Sequence, residues 1–580
     1  MDQVQYPPSS FQATQADMEN PRMVDFITRY TDALRVDMEN RPDLRIKNLM
    51  EGGYAVVYIP EEQISQVTRE IGPVGLSTVP NLLTLVGQQD LEASGISQVQ
   101  QQPYLDLQGQ GTLVGFVDTG IDYTNTAFRY EDGSTKVRYL WDQTVVGGAA
   151  PPTHPFGAEY TAQDINEALQ LENPFERVPQ RDSSGHGTFL ASVAASRQEG
   201  EYLGAAPDAE IIMVKLRRAK PFHLQWNLAP PDQEYAYSAS DLIYGVDYIV
   251  SKAVELGMPA SICIGLGSNF GSHDGFDVLD EYLTQIANRT GIAVCVAVGN
   301  EALARHHASG VLLTSGTSRE IEVEVQGNIQ TGGTINLQLW NNYADLLSVS
   351  VTSPLGEVVG RLAPTPGVEY RSQLVLENAV VTVRYFYPHP RSGSQLILIQ
   401  VVNATPGVWR VTVYGDLVLE GEYNAWLPIT GLGDPGVSFL APTPNVTVTV
   451  PSTALGVIKL GGYNTQNRAL YADSSWGPTR LPMLAPDLSA PAVDVRGIYP
   501  AGYGAMTGTS VAAAITAGAC ALLLQWGVVR GNEPTMNSYL IRSYLIRGCE
   551  RDPGVTYPNE QWGYGRLNLM NTFIQRRAVL

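Results

Sequence analysis

Apolar residues follow two different patterns along the 580-residue chain, and the change of pattern divides it into regions. Between about residues 111 and 309, near-continuous apolar runs of strand length alternate with longer segments of helical period. These runs are TLVGFVDTG, AEIIMVKL, ASICIGLG and GIAVCVAVGN. Continuous apolar strands separated by helices are typical of a parallel sheet that is covered on both faces. We therefore predict an α/β domain whose active site lies at the carboxyl ends of its strands.

Short alternating strands replace this pattern from about residue 312 to residue 444. Segments such as REIEVEVQG, TINLQLWN and GVWRVTVYG are separated by Gly, Pro and Asn turns, which is typical of an antiparallel sandwich or jelly roll. The α/β pattern then resumes at LGVIKLGGYN and continues into GTSVAAAITAGACALLLQW. The β domain is therefore predicted to be inserted into a core formed by residues 92–311 and 445–580.

A smaller unit precedes the α/β core. Residues 1–20 are polar and are expected to be mobile, whereas residues 21–91 contain regular patterns. Apolar residues in RMVDFITRYTDALRV have helical spacing, YAVVYIP and VPNLLTLVG indicate strands, and EEQISQVTREIG indicates a helix. The sequence therefore predicts a small α/β domain over residues 21–91.

Composition and charge narrow the possible functions. The chain has 37 Lys and Arg against 58 Asp and Glu, a formal net charge of −21. Such an acidic surface repels phosphates and anionic lipid, so we expect neither nucleic acid nor a membrane as a partner. No apolar run of about 18 residues and no signal-peptide pattern is evident, so a location inside the cell is expected. No metal-ligand spacing occurs, so no cofactor is expected, although calcium stays open.

Three short motifs carry candidate chemistry. Asp118 ends an apolar strand in GFVDTGID, His186 opens a small-residue helix in DSSGHGTFLASVAAS, and Ser510 follows a Gly-Thr turn in MTGTSVAAAITAGACALLL. Each motif alone could be an ordinary turn or helix cap. Together they have the chain order Asp, His, Ser that subtilisin uses. A serine hydroxyl is a poor nucleophile at neutral pH, and a histidine held by an aspartate can take its proton.

A fourth motif, AVGN, places Asn300 at the end of a buried strand. With these motifs the chain resembles the subtilisin-like serine peptidases. The resemblance implies a catalytic triad of Asp118, His186 and Ser510, and an oxyanion hole from the Asn300 amide and the Ser510 backbone N–H. It also implies that an extended peptide pairs with GLGS, which comprises Gly265, Leu266, Gly267 and Ser268.

Two further histidines follow the AVGN motif. His306 and His307 either line the active site or pack within a surface loop. The sequence favours packing but leaves both interpretations open.

The order of domains is similar to that of the clostridial Csp germination proteases, most clearly in ASGISQVQQQPYLDLQGQGTLVGFVDTGIDYTNTAFR. Residues 21–91 occupy the place of a subtilisin propeptide, so the resemblance to the subtilisin-like peptidases implies a propeptide cut between about Leu85 and Leu91, and the Csp arrangement includes such a domain. The similarity to the Csp proteases also implies a protein zymogen as substrate, the chain's own propeptide as a partner, and a cytoplasmic or spore-associated location. Three alternatives remain open: an N-terminal domain that is never cut, a catalytically silent sensor on the same scaffold, and a general degradative peptidase.

Overall fold

The computed structural model describes residues 12–29, 45–46, 54–63, 82–85, 92–197, 202–327 and 332–577. Its centre is an eight-stranded sheet in which all neighbouring strands are parallel except the last pair. In spatial order the strands are Leu488–Pro491, Ile458–Tyr463, Ile292–Ala297, Ala260–Ile264, Leu113–Asp118, Glu210–Lys215, Val137–Asp142 and Ala158–Thr161. The four apolar runs of the sequence form neighbouring strands of this central sheet.

Helices cover both faces of the central sheet, as the continuous apolar strands predict. The histidine helix (His186–Ala195) and the serine helix (Thr509–Leu524) pack on one face, and Ala239–Leu256 and Val278–Ala287 pack on the other. The remaining α-helices are Gln15–Glu19, Ile96–Gln100, Ala162–Ala168, Pro221–Trp226, Ser538–Gly548 and Leu569–Arg577. The predicted α/β fold with helices on both faces of the sheet is confirmed, and the sheet is mixed because of its one antiparallel strand.

The serine helix corrects one expectation from the sequence. With the π-helical turn that follows it, residues Thr509–Val529 are long and apolar enough to cross a membrane by length and composition alone. However, 89% of that apolar window is buried inside the fold. The helix is apolar because it packs against five strands of the central sheet and the histidine helix, as a core helix does.

Two antiparallel sheets form the inserted β domain (residues 307–439), and their facing side chains make a separate apolar core. One sheet has the order His307–Val311, Glu422–Trp426, Gly333–Asn341, Gln395–Ala404, Val380–Phe386 and Glu369–Gln373. The other has the order Val358–Leu362, Leu346–Thr352, Gly407–Leu417, Ser318–Val325 and Val437–Phe439. The limits 312–444 and the jelly-roll assignment stay predictions.

The N-terminal domain (described residues 12–85) departs from the sequence prediction in one element. Met23–Arg29, predicted to be helical, is a strand that pairs antiparallel with the confirmed strand Tyr54–Pro60. Five consecutive residues, Met23 to Ile27, are buried. Because both faces of this strand are covered, it lacks the alternation that would have identified it. Most of the helix predicted in EEQISQVTREIG lies outside the described residues.

Candidate active site

The three motif residues stand at the ends of elements that meet at one edge of the central sheet. Asp118 is the last residue of its strand, His186 is the first residue of the histidine helix, and Ser510 is the second residue of the serine helix. Their sequence separations are 68 and 324 residues, so the fold alone brings them together. This is the edge at which the carboxyl ends of parallel strands form binding sites.

The three side chains form a continuous hydrogen-bonded line. His186 Nδ1 lies 2.8 Å from Asp118 Oδ1, and His186 Nε2 lies 3.1 Å from Ser510 Oγ. All three residues are buried. The Asp118 carboxylate can only accept, so it requires the proton of the neutral imidazole on Nδ1 and leaves Nε2 as the acceptor for the serine hydroxyl.

A threonine fixes the orientation of Asp118. The Thr119 backbone N–H donates to Asp118 Oδ1 at 2.8 Å, and its hydroxyl donates to the same oxygen at 3.2 Å. The Thr119 hydroxyl also accepts from the N–H of Gly187 at 2.9 Å, which ties the aspartate turn to the histidine helix. The sequence interpretation missed this residue, although it lies inside the DTG motif.

Asn300 lies next to Ser510, where its side chain could contact the carbonyl group of a peptide bound at Ser510. Its Oδ1 accepts from the Thr509 backbone N–H at 3.1 Å and from the Thr509 hydroxyl at 3.2 Å. A backbone N–H can only donate, so it fixes which end of the amide faces it and leaves the Nδ2 donors free. Since Ser510 lies in the first turn of a helix, its N–H has no partner within the helix. Two donors therefore stand beside the nucleophile.

The GLGS segment forms one side of a groove beside the triad, and Tyr237–Ser238 forms the other side. The four residues of GLGS differ in orientation. Leu266 pairs with Leu85 and Gly267 with Thr84 in an antiparallel register. Gly265 faces the triad, since a Cβ placed on it would lie 2.8 Å from Ser510 Cβ. The structure does not bear out the prediction for Ser268, because its backbone N–H and C=O bond to Val450 instead of facing the groove.

The groove is already occupied by a strand of the N-terminal domain. Leu82–Leu85 lies between Leu266–Gly267 on one side and Tyr237–Ser238 on the other, and it is antiparallel to both. Tyr237 belongs to the buried wall of this groove, and burial, with a smaller effect of the Asp118 carboxylate, raises its pKa. This backbone arrangement is how an extended peptide binds by strand addition.

His306 and His307 pack between the core and the inserted β domain, the interpretation that the sequence favoured. His306 Nδ1 lies 2.7 Å from the carboxylate of Glu301, the residue after Asn300. His307 is buried against the Trp426 ring, with ring centroids 4.8 Å apart. Burial lowers the pKa of His307 to about 4, so this ring is neutral at physiological pH.

Metal ligands are not grouped in the described part of the chain. Among residues 12–29, 45–46, 54–63, 82–85, 92–197, 202–327 and 332–577, no three His, Cys, Asp or Glu side chains are arranged to hold a metal ion. The expectation of no cofactor stays a prediction, and calcium stays open.

Known proteins are similar to this chain in both sequence and fold. The sequence model of the subtilase family matches residues 109–353 and 431–565. The structure of the Clostridium perfringens CspB protease is similar with a TM-score of 0.74 and 31% identity, over 84% of this chain and 97% of that chain.

Two curated relatives are more distant in sequence. The subtilisin-like protease SBT1.5 of Arabidopsis thaliana is 23% identical over 76% of this chain and 58% of its own length. The minor extracellular protease Vpr of Bacillus subtilis is 23% identical over 80% of this chain and 51% of its own length. The chain thus spans about half the length of the curated relatives it matches. Since the family match covers most of the chain and includes every motif residue of the site, the chain belongs to the subtilase family.

Proposed function

We propose that this chain is a serine endopeptidase that hydrolyses peptide bonds through an acyl-enzyme on Ser510. The observation that carries the proposal is the pair of hydrogen bonds that link Asp118 to His186 and His186 to Ser510 Oγ, beside the free amide donors of Asn300. Membership of the subtilase family supports it.

The geometry accounts for each step of such a reaction. His186 Nε2 takes the hydroxyl proton as Ser510 Oγ bonds to the carbonyl carbon, and Asp118 stabilises the imidazolium. The carbonyl oxygen becomes an oxyanion, which the Asn300 amide and the Ser510 N–H stabilise. The imidazolium then gives its proton to the leaving amine as the C–N bond breaks. Water repeats the sequence on the ester and restores Ser510.

Labelling with a fluorophosphonate tests the proposed activity. The reagent phosphorylates a serine only when a base activates its hydroxyl, so wild type should react and Ser510→Ala should not. Ser543→Ala is the matched control, because Ser543 is an exposed serine whose hydroxyl donates to a backbone carbonyl within its own helix. A wild type that fails to react after its N-terminal segment has been removed would overturn the proposal.

We further propose that the N-terminal domain is a propeptide that the chain cuts itself. The support is the pairing of Leu82–Leu85 in the groove, with the register of Leu85 opposite Leu266. Gly265, the residue beside Leu266, faces Ser510, so this strand runs towards the nucleophile. We therefore propose that the cut bond follows Leu85, inside the window from Leu85 to Leu91.

A buried polar cluster supports tight binding of this domain to the core. Asp25 lies 3.6 Å from both the Lys220 Nζ and the His223 Nε2, and Ser240 donates to its carboxylate. Burial alone would raise the pKa of Asp25, but the charges of His223 and Lys220 and the hydrogen bond from Ser240 lower it to about 2. A carboxylate that is charged and paired at neutral pH holds the two domains together.

Intact-mass analysis of purified protein tests the self-processing. Wild type should give two fragments, with the cut between Leu85 and Leu91, whereas Ser510→Ala should remain a single chain. Cleavage of both proteins would indicate an outside protease, and cleavage of neither would indicate a permanent N-terminal domain.

The physiological substrate is proposed from the similarity to CspB. We propose limited cleavage of a protein zymogen, in the cytoplasm or a spore, and the acidic surface supports a protein rather than a nucleic acid or membrane as partner. The occupied groove favours a second candidate, a silent sensor that stays closed by its own strand. Absence of fluorophosphonate labelling would select the sensor. Broad turnover of unfolded proteins would instead select a degradative peptidase.

A further inference from the structure

Thr449 fills the gap between the GLGS segment and the loop that carries Asn300, which we call the oxyanion loop. Its side chain is fully buried between Gly267 on one wall and Gly299 on the other. A Cβ placed on Gly267 would come within 2.5 Å of Thr449 Oγ1, and a Cβ placed on Gly299 would come within 2.5 Å of Thr449 Cγ2. Both glycines are required by this close approach, because not even a methyl group fits on either side.

Hydrogen bonds to both walls hold Thr449 in place. Its backbone N–H donates to the carbonyl of Val298 at 2.9 Å, and its hydroxyl donates to the same carbonyl at 3.1 Å. The next residue, Val450, exchanges two backbone hydrogen bonds with Ser268, at 2.8 and 2.9 Å. Since a β-branched side chain also has few rotamers, Thr449 is a fixed part of the gap rather than a movable gate.

A substrate side chain is directed into this gap by the geometry of the reaction. The carbonyl that Ser510 attacks must also point its oxygen at Asn300, and the residue that carries it lies beside Gly265. His186 stands on one side of that carbonyl and the paired strand on another. The side chain of the residue therefore extends along the strand towards Gly267, where Thr449 forms the floor.

We propose that Thr449 limits the side chain on the acyl side of the cleaved bond to small residues such as Gly, Ala, Ser and Val. This inference rests on the proposed peptidase function and names the substrate class of the same site.

Four peptide substrates that differ only at the acyl-side residue (Ala, Val, Leu or Phe) test the proposal. Each carries an aminocoumarin leaving group. We measure kcat/KM on the self-processed enzyme, whose concentration of active sites is determined by titration with fluorophosphonate. Wild type should prefer Ala and Val to Phe by about 100-fold. Thr449→Gly should raise the ratio of kcat/KM for Phe to kcat/KM for Ala roughly 10- to 200-fold, the range expected for size discrimination in an apolar pocket.

Two more variants control for damage to the fold. Thr449→Val keeps the size and branching without the hydroxyl and should keep the wild-type ratio of Ala to Phe. Thr449→Ser removes one methyl group, so it should raise the ratio of Leu to Ala even if the glycine variant is unstable.

The outcomes separate this inference from the proposed function. Wild type that is labelled by fluorophosphonate but cleaves Phe as well as Ala would overturn the inference alone, as would an unchanged ratio in both Thr449→Gly and Thr449→Ser. Wild type that is not labelled would overturn the proposed function, and the inference with it.

Discussion

Each of the two domains outside the catalytic core has a buried carboxylate among its contacts with the core, but the two carboxylates differ in their chemistry. Asp25 of the N-terminal domain is 2% exposed and lies near the Lys220 ammonium and the His223 ring of the core. In the other contact the carboxylate belongs to the core. Glu301, also 2% exposed, accepts from the N–H of Thr430 in the inserted β domain at 3.2 Å.

The two carboxylates also differ in what lies next to them. Glu301 follows Asn300 directly, and its other oxygen accepts from Asn269 at 2.8 Å, one residue beyond the GLGS segment. Asp25 contacts no residue of the triad, but its domain supplies the strand that fills the groove. The inserted β domain is joined to the core by two chain connections, whereas the N-terminal domain has one. We therefore infer that the Glu301 contact preorganises the site, whereas the Asp25 contact can be lost without unfolding the core.

The largest effect on catalysis is expected at Asn300, the donor that the Glu301 contact helps to position. Asn300→Ala removes one stabilising donor for the oxyanion, so kcat should fall roughly 10²- to 10³-fold with little change in KM. Steady-state hydrolysis of an Ala-containing peptide measures both constants. A change confined to KM would place Asn300 in substrate binding rather than in the oxyanion hole.

Glu301→Ala should have the next largest effect. It leaves His306, Asn269 and the Thr430 N–H without their acceptor, which costs on the order of 1–3 kcal/mol, so kcat should fall roughly 10- to 100-fold. Glu301→Gln retains an acceptor oxygen and should recover most of the loss. Equal losses in both variants, or a loss only of thermal stability, would show that Glu301 does not position the oxyanion loop.

Asp25→Asn should weaken the other contact without affecting catalysis. The substitution leaves the Lys220 ammonium without its counter-charge, at a cost of about 2 kcal/mol, so the cut N-terminal domain should bind roughly 30-fold more weakly. Retention of the fragment during gel filtration, with kcat of the separated enzyme as control, measures this. Unchanged retention would contradict the role given to Asp25.

Acid should produce the smallest effect, and at the same contact. The pKa of Asp25 falls from 3.8 to about 2 on folding. Its stabilising contribution is therefore complete above about pH 4 and is lost as the pH falls towards 2. Between pH 5 and pH 3 wild type should lose about 1 kcal/mol of binding or unfolding free energy that Asp25→Asn does not lose. Stability is measured as the free energy of unfolding from pH 5 to pH 3. The same dependence on pH in wild type and Asp25→Asn would contradict this prediction.

Sequence motifs were sufficient to predict the parallel strands and to select Asp118, His186 and Ser510, which the fold brings together, because each occupies an element end with a distinctive local pattern. Other features depend on contacts between distant segments. Asp25 and Lys220 are far apart in sequence, and neither has a motif. Thr449 lies in the plain apolar segment PNVTVTVP, and its place between two glycines is visible only in three dimensions.

The central claim is that Ser510 is a nucleophile because His186 and Asp118 activate it. Peptide mapping by mass spectrometry after fluorophosphonate treatment tests this claim most directly, on wild type and on His186→Ala after an added protease has removed the N-terminal domain from both. We predict one reagent group on the peptide that contains Ser510 in wild type, and no modification in His186→Ala. Equal labelling of both proteins, or labelling at another serine, would contradict the account.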